Sequence, residues 1–167
     1  MAGPDRESSG GGVNFQCLPD DPEYSMNTGL HAQFSDLVNV YYGAEAGPLS
    51  YHLVPCTACE TNKRPTKIMI PGKARCPSNE WVQEYVGYVY SAPAQYSDGS
   101  PISGNYHRST YECVDSNIES LNGRAYAGLT LPMIFKVKAR CTGDKALAGN
   151  CPPFKSHEPL SCVVCSK

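Results

Sequence analysis

Nine cysteines in 167 residues constrain this chain more than any other feature. Cys17, Cys56, Cys59, Cys76, Cys113, Cys141, Cys151, Cys162 and Cys165 are spread over its whole length, among 14 prolines and 15 glycines. That density is the composition of an oxidised, secreted domain, in which bridges take over part of the work of a core. Each bridge would contribute on the order of 2–4 kcal/mol, mostly by restricting the unfolded chain. Nine is odd, so at most four bridges close within the chain and a thiol remains for an interchain bond or for reaction. About 945 arrangements are compatible with the count, and spacing does not choose among them. Cys17, near the N-terminus, is the expected interchain cysteine of a disulfide-linked homodimer.

Two cysteine pairs carry Cys-x-x-Cys spacing, Cys56 to Cys59 and Cys162 to Cys165. Together they could supply four thiolates to zinc, but the interval between the pairs far exceeds that of a zinc knuckle. A redox pair needs a thiolate at a helix N-terminus, and the flanks here are extended. On a strand, positions i and i+3 face opposite ways, which suits bridges to different partners. Structural disulfides are therefore expected, with no metal and no cofactor.

Fourteen Lys and Arg against sixteen Asp and Glu leave a net charge of −2, without the basic stripe of a nucleic-acid binder. No apolar run approaches the ~18 residues of a membrane span. Met1 to Gly12 is polar and glycine-rich with no apolar h-region, as in a mature form whose leader is gone or a chain with an added start residue. Residues 1–12 are expected to be a flexible segment, and 13–167 a single disulfide-rich domain.

Trp81 to Ser91 (Trp-Val-Gln-Glu-Tyr-Val-Gly-Tyr-Val-Tyr-Ser) is the strongest strand signal, rich in aromatic and β-branched residues. Both of its faces are largely apolar, as on a central strand covered on each side. Gln83 and Glu84 are exceptions that need a partner or solvent. Gly87 marks a bulge or a close approach to the backbone. Further strands are expected at Val13–Leu18, Leu37–Gly43, His52–Cys56, Thr66–Ile70, Tyr106–Val114 and Leu160–Cys165. Met133–Cys141 alternates an apolar with a basic face, Ile134 being the misfit. Asp115–Gly123 resembles a turn with a short helix, and Gly143–Phe154 a loop. Many short strands between turn signals, with no long 3.6-period segment, predict an all-β or mostly β fold: disulfide-stapled antiparallel sheets in a sandwich-like domain with long loops.

Catalytic signatures are few. There is no Gly-x-Ser-x-Gly elbow, phosphate loop or Ca²⁺ loop. The four histidines are scattered, and the carboxylate pairs Glu112/Asp115 and Asp115/Glu119 are weak evidence for glycosidase work. No catalytic residue is expected. Tyrosine, by contrast, makes up 11 of 16 aromatics and clusters with polar residues, as in Tyr106-His-Arg-Ser-Thr-Tyr-Glu112. A tyrosine offers a flat apolar face and a hydroxyl, which suits a sugar ring on an exposed surface.

Six ordered motifs carry a resemblance across residues 11–167: Gly-Gly-x-Asn-x-x-Cys-Leu-Pro (11–19), Pro-Cys-x-x-Cys (55–59), Met-Ile-Pro-Gly-Lys-x-x-Cys-Pro (69–77), Trp-x-x-Glu-Tyr-x-Gly-Tyr (81–88), Tyr-x-Cys-x-Asp (111–115) and Cys-Val-Val-Cys-x-Lys (162–167). The chain resembles the non-collagenous C-terminal domain of invertebrate short-chain collagens and spongin-like proteins. The Gly-x-y repeat of those collagens is missing, and stand-alone versions of the domain look like the sea-hare gonad lectins. That resemblance implies a secreted, disulfide-linked dimer that agglutinates cells and binds galactose-type sugars, favouring galacturonic acid. From the residues themselves, the expected sugar-binding site is His52, Glu84, Tyr85, Tyr88, His107, Arg108, Tyr111 and Glu112. Arg108 or a histidine would meet the carboxylate, Glu84 or Glu112 would accept sugar hydroxyls, and a tyrosine would contact the ring. The partners expected are therefore galactose- or galacturonate-containing glycans, with no nucleic acid and no membrane. Two rival expectations are a structural extracellular-matrix module and, more weakly, an enzyme acting on uronate polymers.

Overall fold

A computed structural model describes residues 1–4, 14–19, 21–23, 37–61, 63–92, 110–124, 132–139, 150–151, 154–155 and 158–167. These residues are mostly strand, and three disulfides close among them, which bears out the mostly β, disulfide-stapled expectation. They form two compact units, each assembled from three separated stretches: Met1–Cys59, Ala92–Thr110 and Glu119–Ile134 in the first, Glu60–Ser91, Tyr111–Ile118 and Phe135–Lys167 in the second. No helix among the described residues is long and apolar enough to cross a membrane.

In the first unit, β1 (Ala2–Pro4) pairs antiparallel with β2 (Leu37–Asn39). Ala2–Pro4 is thus a strand within the segment 1–12 expected to be flexible, the remainder of which, from residue 5, lies outside the described residues. Pro4 lies at the end of that ladder, where a missing N–H costs little. The Met1 ammonium donates to the Val54 carbonyl at 2.9 Å, and partial burial lowers its pKa. The expected strand at 37–43 is divided between β2 and β3 (Tyr41–Tyr42). Two 3₁₀ turns follow over Ala44–Leu49, interrupted at Gly47, whose φ of 62° few other residues adopt. β4 (His52–Leu53) pairs with β3 and with a strand at Leu121–Arg124, where a turn and short helix were expected. β3 also pairs in parallel with Met133–Ile134, so the sheet is mixed rather than purely antiparallel. Val40, Tyr42, Val54 and Ile134 are the buried core of this unit. Ile134 breaks the alternation of its segment because it is a core residue here. Cys17 is bonded to Cys56, with Cα atoms 5.5 Å apart.

The second unit is organised on Trp81–Ser91. β5 (Lys67–Pro71) forms one edge, β6 (Val82–Ser91) is central, and β7 (Glu112–Asp115) flanks β6 on its other side. Numbering the Leu121–Arg124 strand β8 and Met133–Lys136 β9, the second half of β9 pairs with the end of β6 through Tyr90–Lys136 and Ser91–Phe135. A short antiparallel pair, β10 (Asn150–Cys151) and β11 (Phe154–Lys155), falls where a loop was expected. β12 (Ser161–Ser166) lies between β5 and β6, antiparallel to both. Being interior, it buries Cys162, Val163, Cys165 and Ser166 completely.

β6 is central in its pairing but not covered along its whole length. Its C-terminal half, Gly87 to Ser91, is largely buried, whereas Val82, Gln83 and Glu84 are exposed. The cysteines of Cys162-Val-Val-Cys165 go to different partners, as alternation requires: Cys162 bridges to Cys113 and Cys165 to Cys76, with Cα separations of 5.8 and 6.0 Å. The zinc and redox readings of that pair end there.

Gly87 explains how the first of these bridges forms. Cys162 on β12 and Cys113 on β7 lie on opposite edges of β6, and Gly87 registers with Cys162 on one side and Asp115 on the other. In a flat sheet, strands two apart stand about 9.6 Å away from each other, too far for a disulfide. The observed 5.8 Å therefore requires the sheet to fold over β6. A Cβ built on Gly87 would stand 1.8 Å from the Val114 carbonyl oxygen. Only glycine admits that fold. The expected close approach at Gly87 is thus made by the backbone of β7 itself.

Candidate functional site

The register distributes the expected site residues between the two faces of the second unit's sheet. Tyr88 and Tyr90 share one face with Val114 and Glu112 of β7 and Lys136 of β9. Glu112, Tyr90 and Lys136 form one row across three strands, and Tyr88 occupies the next row. Diagonal neighbours of this kind stand about 7–8 Å apart at the backbone, within reach of long side chains. The Lys136 ammonium accordingly lies 4.4 Å from the centroid of the Tyr88 ring, a cation–π contact. Tyr90 is buried, while Tyr88, Lys136 and Glu112 are each half-buried. Tyr88, Lys136 and Glu112 thus share one face of a stapled sheet, with the Lys136–Tyr88 contact the one that fixes two of them together.

Tyr85 belongs to the opposite face, beside Gly87. Its hydroxyl donates to the Cys113 carbonyl at 2.9 Å, so it supports the fold of β7 over β6 and does not share a face with Tyr88. Glu84 sits at a bulge. The register steps from Val164–Tyr85 to Cys165–Gln83, leaving Glu84 as the additional residue of β6. The bulge turns its carboxylate toward Ser166 and Arg64. The Ser166 hydroxyl donates to Glu84 Oε1, Arg64 Nη2 donates to the same oxygen at 3.0 Å, and Arg64 Nε donates to Ser166 Oγ at 2.8 Å. The hydroxyl bond first, and the guanidinium charge with it, hold the Glu84 carboxyl below the usual carboxylate range. This triangle meets the need for a partner at Glu84 and commits one of its oxygens to structure.

The remaining expected residues are placed as follows. Tyr111 is the most exposed of the large hydrophobic side chains among the described residues, at 62%, and immediately precedes β7. His52 is in β4 of the first unit. His107 and Arg108 lie outside the described residues. Cys17 is corrected as the interchain candidate, since its sulfur is bonded to Cys56 of the same chain. Closeness to the N-terminus suggested accessibility, but it does not decide what the sulfur is bonded to.

Lys136 is the residue that sequence reasoning passed over. The basic face of Met133–Cys141 was visible, and one of its members turns out to sit over a tyrosine that was already a candidate. Chemically, Tyr88 offers an apolar ring, Lys136 a positive charge for an acid group, and Glu112 acceptors for hydroxyls. Among the described residues no group of three or more His, Cys, Asp or Glu is positioned to hold a metal ion. No protein-family model, curated protein or solved structure matches the chain.

Proposed function

We propose that the chain is a secreted lectin for galactose-type sugars, favouring the uronate, that acts as a disulfide-linked dimer. The observation supporting this is the Tyr88–Lys136–Glu112 group on one sheet face. A hexose presents an apolar C–H face and a rim of hydroxyls, complementary to a tyrosine ring beside a carboxylate. A lysine in the same group adds an attraction that a sugar acid feels and a neutral sugar does not. Lys136 takes the role first expected of Arg108 or a histidine.

Rigidity supports the same reading. Two disulfides hold β12 to β7 and to the segment at Cys76, so the site is ordered before a ligand arrives and binding incurs less ordering cost. Six cysteines are bonded to one another among the described residues, and the chain's total of nine is odd, so at least one has no intrachain disulfide partner. An interchain bridge through one of them would give two sites per dimer, and agglutination would follow from avidity without further contacts. The likeness to sea-hare gonad lectins noted in the sequence points the same way.

Haemagglutination with sugar inhibition tests this reading. Galacturonate should inhibit more strongly than galactose, and galactose more strongly than glucose. Equal or absent inhibition would reject it, and would turn attention to the structural matrix module that the collagen-domain resemblance favours. That alternative predicts a protein partner from matrix extract and no sugar preference.

A further inference from the structure

The sheet face that carries Tyr88 extends past Lys136 to a second cation. The extended backbone continues beyond the end of β9: the Val137 N–H donates to the Val89 carbonyl at 2.8 Å, and the Val137 carbonyl accepts from the Leu160 N–H at 2.9 Å. Lys138 then forms an antiparallel bridge with Pro159. Two routes put the Lys138 side chain on the face of Tyr88. Along its own segment, Lys138 is two residues after Lys136, and alternation returns it to the same side. Through the neighbouring strand, Ser161 registers with Tyr88, Pro159 is two residues before Ser161, and Lys138 is paired with Pro159.

Lys138 is exposed, and no hydrogen bond or ion pair among the described residues engages its ammonium. Its Cα stands about 6.6–6.8 Å from that of Lys136, the spacing of neighbouring side chains on one side of a strand. The carboxylates of this region are placed elsewhere. Glu112 is on β7, with Tyr90 of β6 between it and Lys136, and Lys138 is farther still. Asp115 registers with Gly87 and so belongs to the opposite face. Glu158, which precedes Pro159, is paired with Lys155 at 3.6 Å. Ser161 adds a hydroxyl directly opposite Tyr88, with the two Cβ atoms about 4.5–5.5 Å apart. That serine is half-buried, and no hydrogen bond among the described residues uses its hydroxyl.

We infer that the ligand of this face is an acidic chain rather than a single sugar: a linear polyuronate, with one ring and its carboxylate held at Tyr88 and Lys136 and the carboxylate of the next ring met by Lys138. The inference rests on the lectin reading and specifies its ligand. A single uronate carries one charge, which Lys136 beside the Tyr88 ring already answers. A second ammonium one side-chain spacing further on gains an interaction only with a ligand that carries a second acid group nearby, as a polyuronate does on every ring. A neutral galactan offers Lys138 nothing of this kind. The flexible four-carbon stem of lysine lets the ammonium follow a carboxylate over a range of ring positions. Lys138 and Pro159 are both exposed, so the surface is open where the second ring would lie. Ser161, beside Tyr88, can donate to or accept from the hydroxyls of the first ring.

Calorimetric titration with galacturonate, digalacturonate and fully methyl-esterified digalacturonate tests the inference. A disaccharide is too short to span two sites of a dimer, so avidity does not enter. Digalacturonate should bind about tenfold more tightly than galacturonate: about twofold because either ring can occupy the Tyr88 position, and about fivefold from the second ion pair. The excess should shrink as salt is raised, and the neutral ester should not show it. K138Q should bind galacturonate within about twofold of the wild type while its preference for digalacturonate falls to about twofold, and K138R should keep the preference. Lys138 is exposed, and melting temperatures establish that both variants are folded. If galacturonate binds but digalacturonate is no more than about twofold tighter, the inference alone is overturned. It is overturned equally if K138Q keeps the tenfold preference or if the ester binds as tightly as the acid. If neither acid is bound, the lectin reading falls and the inference with it.

Discussion

Replacing Gly87 by alanine should be among the most damaging single-atom additions this chain can receive. The new Cβ would stand 1.8 Å from the Val114 oxygen and 2.6 Å from its carbonyl carbon. Relief requires β7 to retreat by about 1.5 Å to reach ordinary contact. The obstacle is backbone and cannot rotate away. β7 is also bonded to β12 across Gly87 through Cys113 and Cys162, so its retreat works against the staple. Overpacking typically costs about 1–3 kcal/mol, and each weakened β6–β7 hydrogen bond adds about 1 kcal/mol. The smaller entropy of the unfolded alanine chain returns about 0.5–1 kcal/mol. A net loss of about 3 kcal/mol is expected, or roughly 6–12 °C in melting temperature for a chain of this size. Calorimetry under non-reducing conditions measures it. The control is Gly72→Ala, at φ +75° with nothing within 4 Å of a built Cβ. There only the left-handed backbone is at issue, and the loss should be about 1 kcal/mol, or 2–4 °C. If Gly87→Ala melts within 2 °C of the wild type, or no lower than Gly72→Ala, the argument that the sheet folds over glycine is wrong.

Two titrations bear on the rest. The Glu84 carboxyl is held below its usual range, so its contribution is present above the unfolded value near 4.5 and is lost as pH falls through the folded one. Glu84→Gln should therefore melt lower than the wild type at pH 7, with the difference closing in acid; a difference independent of pH would remove the triangle with Arg64 and Ser166 from the account. Tyr42, buried first and near Glu119 second, is pushed up to about 12, so the stability it supports is complete below 10 and is lost as pH rises toward that value. Absorbance near 295 nm should show a late-titrating tyrosine that Tyr42→Phe abolishes, and an unchanged titration in that variant would place the buried phenol elsewhere.

How much of this was legible beforehand depends on the range of each interaction. Alternation along a strand is local, and it was enough to assign Cys162 and Cys165 to different partners and to place Trp81–Ser91 at the centre of the pairing. Gly87 was recognisable as a point of close approach because its missing side chain is itself the signal. The unsuitability of Glu84 for a strand face was equally visible, but not its answer: Arg64 and Ser166 lie 20 and 82 residues away, and a bulge re-aims the carboxylate between them. Cys17 went astray for a related reason. Its partner is set by the packing of the first unit, about which position near a terminus says nothing. Lys136 needed the register of β9 against β6 to appear over Tyr88, whereas the separation of Tyr85 from Tyr88 follows from alternation along β6 alone.

The central claim is that Tyr88, Lys136 and Glu112 form one preorganised sugar-contacting face, and an amide- and methyl-resolved NMR titration with galacturonate, galactose and glucose tests it most directly. Saturable shifts should concentrate at Tyr88, Lys136 and Glu112, be largest for galacturonate, and lose their preference for the acid in Lys136→Gln. Shifts that are absent, identical for all three sugars, or confined to residues far from β6, β7 and β9 would contradict it.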